Sequence, residues 1–298
     1  MKDSGIDRFY DVELAKQQLQ QYIMQARREG NISPYVNDMK LDNASVDKYN
    51  NPRSWRLVTT EEDEEVNARV VGVLCCKDLP PFRRKTDHLT HAERSRLRQH
   101  VKISGLGLEE FDEGWENVME VQNMFETGMR ERSTSRDELE SMEGVKAGEE
   151  KDIPFSAEID PDQVLEDAKG GDLVHLTDNQ VLYLRKKEGE QGDVRYVKHN
   201  PKYFKIGDIV EATMSFVAFP LPTQGKTCKY RLRMVLRALT LISSDLREAA
   251  DQKRNQDKLN KATQMLPKSQ LKRKRLKYDS DDEDQDEIKR FKSMCIDL

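Results

Sequence analysis

Long apolar runs are missing from this chain. No stretch reaches the roughly 20 apolar residues that a membrane-spanning helix needs, so no membrane is expected among its partners. Cysteine is scarce: there are four, two of them adjacent at Cys75 and Cys76. Adjacent cysteines seldom bridge, and four do not make a disulfide framework. Positions 1–10 are polar and lack the apolar segment of a secretory signal. Together these absences point to an intracellular protein in a reducing compartment. Apolar side chains are also few, at 36% of 298 residues with 7% aromatic. A core filling the whole chain is therefore not expected, and the mean hydropathy of -0.86 agrees.

The motifs of common catalytic sites are absent as well. No Gly-x-x-x-x-Gly-Lys-Ser/Thr loop occurs, and no Gly-x-Ser-x-Gly elbow. Gly105-Leu106-Gly107 lacks the third glycine and the strand-to-helix setting of a dinucleotide site. Cys75, Cys76, His88, His91 and His100 match no zinc module, whose ligands come in pairs at short fixed gaps. Carboxylates abound, but in segments with nothing to hold two at a working distance. The expectation is a protein that is not an enzyme, with no metal and no cofactor.

What the chain does have is charge, at 35% of residues, segregated along its length. It also has a stretch over 204–242 that reads as a long β-hairpin. Positions 208–219 are β-branched and aromatic, with Val210, Ala212, Met214, Phe216 and Ala218 on one face. Pro220 and Pro222 end that strand, and Gly225 sits in the turn. In the second strand Tyr230, Leu232, Met234, Leu236 and Ala238 share a face, and Arg231, Arg233, Val235 and Arg237 share the other. Three arginines on one strand face suit an anion such as a nucleic-acid backbone. The competing reading is the solvated outer face of an antiparallel sheet. Tyr183, Tyr196 and Phe219 are candidate stacking surfaces, and Glu211 and Thr213 of the first strand are candidates to absorb the charge.

Upstream, 11–29 has helical spacing, with Val12, Ala15, Leu19, Tyr22, Ile23 and Ala26 in one stripe. Positions 31–51 are polar and irregular; 53–59 and 69–76 read as short strands around an acidic run at 61–65. Thr90 and Glu93 form a capping box that predicts a basic helix over 90–103. A second, acidic helix is predicted over 115–125, packed on the first. Positions 131–170 carry thirteen acidic and five basic residues and read as a linker. Strands are predicted at 173–176, 181–186 and 194–199, and a helix over 243–266, with Asp245 its cap and Glu248 three residues on.

The expected fold class is therefore α+β. It comprises a mixed α/β N-terminal region over 1–130, the acidic linker over 131–170 and a β domain with a C-terminal helix over 171–266. Within the β domain, 172–242 should form a small antiparallel β meander or barrel of about five strands. Residues 267–298 complete the chain as a disordered tail. Positions 204–241, preceded by the hairpin that ends at Asn200-Pro201, resemble a family of uncharacterised open reading frames in mushroom-forming fungi, the similar part covering about 173–242. That family carries no assigned activity, so the resemblance implies no functional residue.

The tail has two basic clusters, Lys272, Arg273, Lys274, Arg275 and Lys277, then Lys289, Arg290 and Lys292. Between them 279–287 is acidic at seven of nine positions around Ser280. Such clusters are nuclear-import or nucleic-acid patches, and Ser280 resembles an acidophilic-kinase site. A solvated tail with no address is the alternative. The functional expectation is a non-enzymatic nuclear protein, met by a nuclear import receptor and binding nucleic acid through a basic face of its β domain. Two alternatives stand beside it: a protein-interaction or scaffold module with a polypeptide partner, and a structural component of a mobile genetic element.

Overall fold

The computed structural model describes residues 6–29, 33–50, 53–82, 99–133, 152–169, 175–176, 179–189, 194–221 and 229–265. Its first element, α1 (Val12–Arg28), begins where Asp11 accepts a hydrogen bond from the Leu14 N–H. Glu13 sits in its first turn and Arg27 and Arg28 in its last, both favourable to the helix dipole. Of the predicted stripe, Ala15, Leu19, Ile23 and Ala26 are buried and Tyr22 half-buried, whereas Val12, in the first turn, is exposed.

A short 3-10 turn, Val36–Asp38, leads into β1 (Ala44–Asn50) and β2 (Arg53–Thr59). These pair antiparallel, Val46 opposite Leu57. β1 falls in a stretch that reads as irregular. Its polar residues Ser45, Asp47 and Asn50 mask a strand whose one buried anchor is Val46. β3 (Asn67–Asp78) is buried over most of its length. β4 (His100–Ser104) pairs with it, Leu74 opposite Ile103 and Lys77 opposite Val101. The helix expected over 90–103 therefore does not reach its C-terminal end. Val101 and Ile103 alternate with period two and take the free edge of β3 instead. Positions 90–98 lie outside the described residues.

α2 (Glu109–Ser133) is longer than the 115–125 helix the sequence predicts. It packs on β1, β2, β3 and the 3-10 turn. Gly114 and Gly128 are the points of closest approach: a Cβ at Gly114 would lie 2.7 Å from Val36, and one at Gly128 would lie 3.2 Å from Val46.

Part of the expected acidic linker is built structure. Ile153 N–H donates to His175, and Asp160 caps α3 (Val164–Lys169) by accepting from Leu165 and Glu166. Val164 and Asp160 are buried. The few apolar residues of this segment thus find a surface to cover, which its average composition hides. Positions 134–151 lie outside the described residues.

Four strands follow: β5 (Leu182–Glu188), β6 (Val194–Lys198), β7 (Ile209–Leu221) and β8 (Lys229–Ser243). Of the strand expected at 173–176, only 175–176 are described, and they are not in a strand. β7 and β8 form the long hairpin that the sequence predicts, paired along their length. The five-strand meander or barrel is not what they build. β5 runs parallel to β8, Leu184 opposite Thr240, and β6 pairs antiparallel to β5. The other edge of β7 is taken by β3 over Ile209–Ser215 and by β2 at Val217 and Ala218. The result is one open eight-stranded sheet among the described residues, with β7 at its branch point. N-terminal strands occupy the edge of β7 that a closing barrel would need. The segments on either side of 131–170 therefore share a single sheet, and Met1–Asn255 forms one compact unit.

α4 (Asp245–Met265) follows β8. Its cap is Ser244, one residue before the expected Asp245: the Ser244 carbonyl accepts from Glu248 N–H and its hydroxyl donates to the Glu248 carboxylate. Positions 266–298, which include the whole tail expected over 267–298, lie outside the described residues. Among the described residues no helix is long and apolar enough to cross a membrane.

Candidate nucleic-acid interface

The arginines of β8 do not form one uniform row. Opposed residues of an antiparallel pair share a face, so the register assigns sides. Phe219, Val217 and Ser215 oppose Arg231, Arg233 and Val235. Then the register slips: Met214 opposes Leu236, and Thr213 opposes Ala238. Arg237 is the extra residue of this β-bulge, which also moves Ala238 to the face opposite the one expected. Simple alternation cannot see a bulge.

Arg237 is folded in. Its Nε donates to the Ser215 hydroxyl at 2.9 Å, and its Nη2 meets Glu65 at 2.5 Å. Glu65 also lies 3.7 Å from Arg56 Nη1, and the Arg56 guanidinium stands 4.9 Å over the Tyr49 ring. Two guanidinium groups thus share one half-buried carboxylate. Glu65 stands in the acidic run, and neither it nor Arg56 was singled out by sequence reasoning.

Arg231 and Arg233 stay exposed, as does Lys229 at the strand's start. Among the described residues neither arginine has an ion-pair partner. Phe219, beside Arg231, is half-buried on the same face. Glu61 to Glu64, exposed in the β2–β3 turn, precede the Glu65 that holds Arg237. A polyanion on this face is thus repelled at the Arg237 end and attracted at the Arg231 and Lys229 end.

The other candidate side chains are dispersed. Glu211, expected opposite the β8 arginines, instead pairs with Arg69 of β3 at 3.0 Å. Burial pushes its carboxyl up from the ordinary range, against the pull of Arg69. Arg69 also donates to the carbonyls of Ser33, Ala26 and Glu29, so it closes the end of α1 onto the sheet. Thr213 is half-buried beside the bulge. Tyr183 opposes Leu239, is buried, and donates its hydroxyl to Gln99. It is therefore a core residue and offers no stacking face. Tyr196 is 40% exposed but sits against Glu29, two strands away from Arg231.

Cys76 Sγ lies 4.0 Å from His100 Nε2, and Cys75 is buried. No group of three metal-ligating side chains gathers among the described residues. His88 and His91 lie outside them, as do Lys272, Arg273, Lys274, Arg275, Lys277, Ser280, Lys289 and Arg290. No family model, curated protein or solved structure matches the chain.

Proposed function

We propose that the chain is a non-enzymatic nuclear protein that binds a nucleic-acid backbone with the outer end of the β7–β8 hairpin. The observation that carries this reading is Arg231 and Arg233: exposed, two residues apart on one strand face, and without an acidic partner among the described residues. A guanidinium presents paired donors that match phosphate oxygens. Two residues of strand place the pair about 7 Å apart on a rigid hairpin rather than a loop. Phe219 adds an aromatic surface beside them for a base. The basic clusters of the tail provide import to the nucleus and a second, unspecific contact with phosphate.

The test is recovery of nucleic acid with the tagged full chain from nuclear extract. The wild-type chain is expected to bring down nuclease-sensitive material, and Arg231→Glu, Arg233→Glu to bring down several-fold less. Equal recovery by both would remove the hairpin from the account and leave the tail as the only contact.

A further inference from the structure

The face of β8 opposite Arg231 and Arg233 is apolar and opens on a cleft. Met234 and Leu236 oppose Phe216 and Met214, so they point away from the arginines. With Met214 they form the floor of a cleft of about 330 Å³ whose wall is Phe111, Trp115 and Val118 of α2. Two of its lining side chains are large, apolar and exposed, Trp115 at 50% and Met234 at 46%, and Met119, one helical turn on from Trp115, is 53% exposed. Large side chains clustered like this mark interaction sites, whereas scattered ones need no explanation.

The charge around this cleft is of one sign on the helix side. Between Glu109 and Arg130 α2 carries seven acidic residues and one basic. Glu110 and Glu113 are engaged by Gln20 and Asn37. Asp112, Glu116 and Glu120 recur every fourth residue, so they form one ridge beside Trp115 and Met119. All three are exposed, with no ion-pair partner among the described residues. On the far wall, β4 contributes His100 and Lys102.

We propose that this cleft docks a basic amphipathic segment of a partner protein, its apolar side chains between Trp115 and Met234 and its Lys or Arg residues along Asp112, Glu116 and Glu120. Charge complementarity selects this occupant. Nucleic acid is repelled by the ridge. A second copy paired about a two-fold axis would set ridge against ridge, like charge on like. An aromatic anchor at the centre and charged residues at the rim is the usual layout of such sites. The sheet then works as a divider, with a polyanion on one face and a polycationic peptide on the other.

Trp115 reports directly on the test, because Trp55, the other tryptophan, is only 4% exposed. The probe is a synthetic peptide in which Lys and Arg flank two Leu residues, titrated into the full chain. The expected result is a blue shift of Trp115 emission with saturable binding. Asp112→Lys, Glu116→Lys, Glu120→Lys and, separately, Met234→Ser should each weaken binding by about tenfold or more while leaving thermal unfolding unchanged. The same peptide with both Leu replaced by Ser should not shift the emission. Arg231→Glu, Arg233→Glu should bind the peptide as the wild type does. Equal binding by wild type and the Lys triple variant overturns the proposal. It also falls if the wild type binds nothing until residues 83–98 are replaced by a Gly/Ser linker, which would place a segment of this chain in the cleft. Concentration-dependent burial of Trp115 without peptide would assign the cleft to a second copy and overturn it too.

Discussion

Arg237 and Glu65 lie 2.5 Å apart, and this contact divides the arginines of β8 into two kinds. Arg237 belongs to the fold, whereas Arg231 and Arg233 are left to the surface. The division follows from the bulge opposite Thr213 and Met214, which turns one strand position out of step with the rest.

Removing the shared carboxylate should therefore cost stability without costing binding. Side-chain exposure is 16% for Arg237, 20% for Glu65 and 13% for Arg56, so Glu65→Gln removes a carboxylate that two poorly solvated guanidiniums share. A loss of about 1–3 kcal/mol in urea unfolding is expected, with no decrease in oligonucleotide affinity. An unchanged midpoint would show that Arg237 is solvated in the folded chain.

Arg69 should be the more sensitive position. Its side chain is 5% exposed and that of Glu211 is 10%, and the guanidinium also donates to the Ala26 and Glu29 carbonyls at the end of α1 and to the Ser33 carbonyl beyond it. Arg69→Met strands a buried carboxylate and should destabilise the chain by about 3–5 kcal/mol. Arg69→Met with Glu211→Leu should recover most of that loss, as measured by equilibrium denaturation. No recovery in the double variant would mean that the carbonyl contacts, not the ion pair, hold α1 on the sheet.

Much of this framework is visible in the sequence, and what is hidden has physical causes. The hairpin shows because apolar residues alternate over two long strands, although Pro220, expected to end the first, lies inside it opposite Tyr230. α1 shows because its buried stripe repeats at helical spacing. The partners of β7 do not show: β3 and β2 are more than a hundred positions away, and edge pairing leaves no local pattern. β1 and β4 are short strands with polar residues at alternate positions, so each reads as loop or as helix end. At the candidate interface, the exposure of Arg231 and Arg233 follows from alternation. The capture of Arg237 depends on a bulge and on Glu65 from a distant turn, neither of which composition reveals.

Three buried tyrosines predict an alkaline limit. Burial pushes the hydroxyls of Tyr10, Tyr35 and Tyr183 up, Tyr35 to about 12. The unfolded chain ionises near pH 10 while the folded chain keeps its protons. This contribution is therefore fully present below about pH 10 and is lost as the pH rises toward 12. Urea unfolding at a series of pH values should show stability falling across that window, and Tyr35→Phe should flatten the fall by about 2–3 kcal/mol. A variant with the wild-type slope would show that Tyr35 ionises in the folded state as it does in the unfolded one.

The basic clusters of the tail yield a prediction in cells. Replacing Lys272, Arg273, Lys274 and Arg275 with Ala should leave a fluorescently tagged chain in the cytoplasm. Ser280→Asp should reduce import, because it adds negative charge between the two clusters. Nuclear accumulation identical to wild type in both variants would remove the tail from the account of import.

The central claim is that Arg231 and Arg233 touch phosphate, and the dependence of affinity on salt tests it most directly. The measurement is binding of a labelled single-stranded oligonucleotide to the full chain, with Lys272, Arg273, Lys274 and Arg275 replaced by Ala to silence the tail. Salt runs from about 50 to about 200 mM. Against that background, Arg231→Gln, Arg233→Gln should bind more weakly and show a log-affinity against log-salt slope shallower by roughly 1.4, two phosphate contacts on a single strand. Two parallel lines of equal height would contradict the claim and leave these arginines as the solvated face of the sheet.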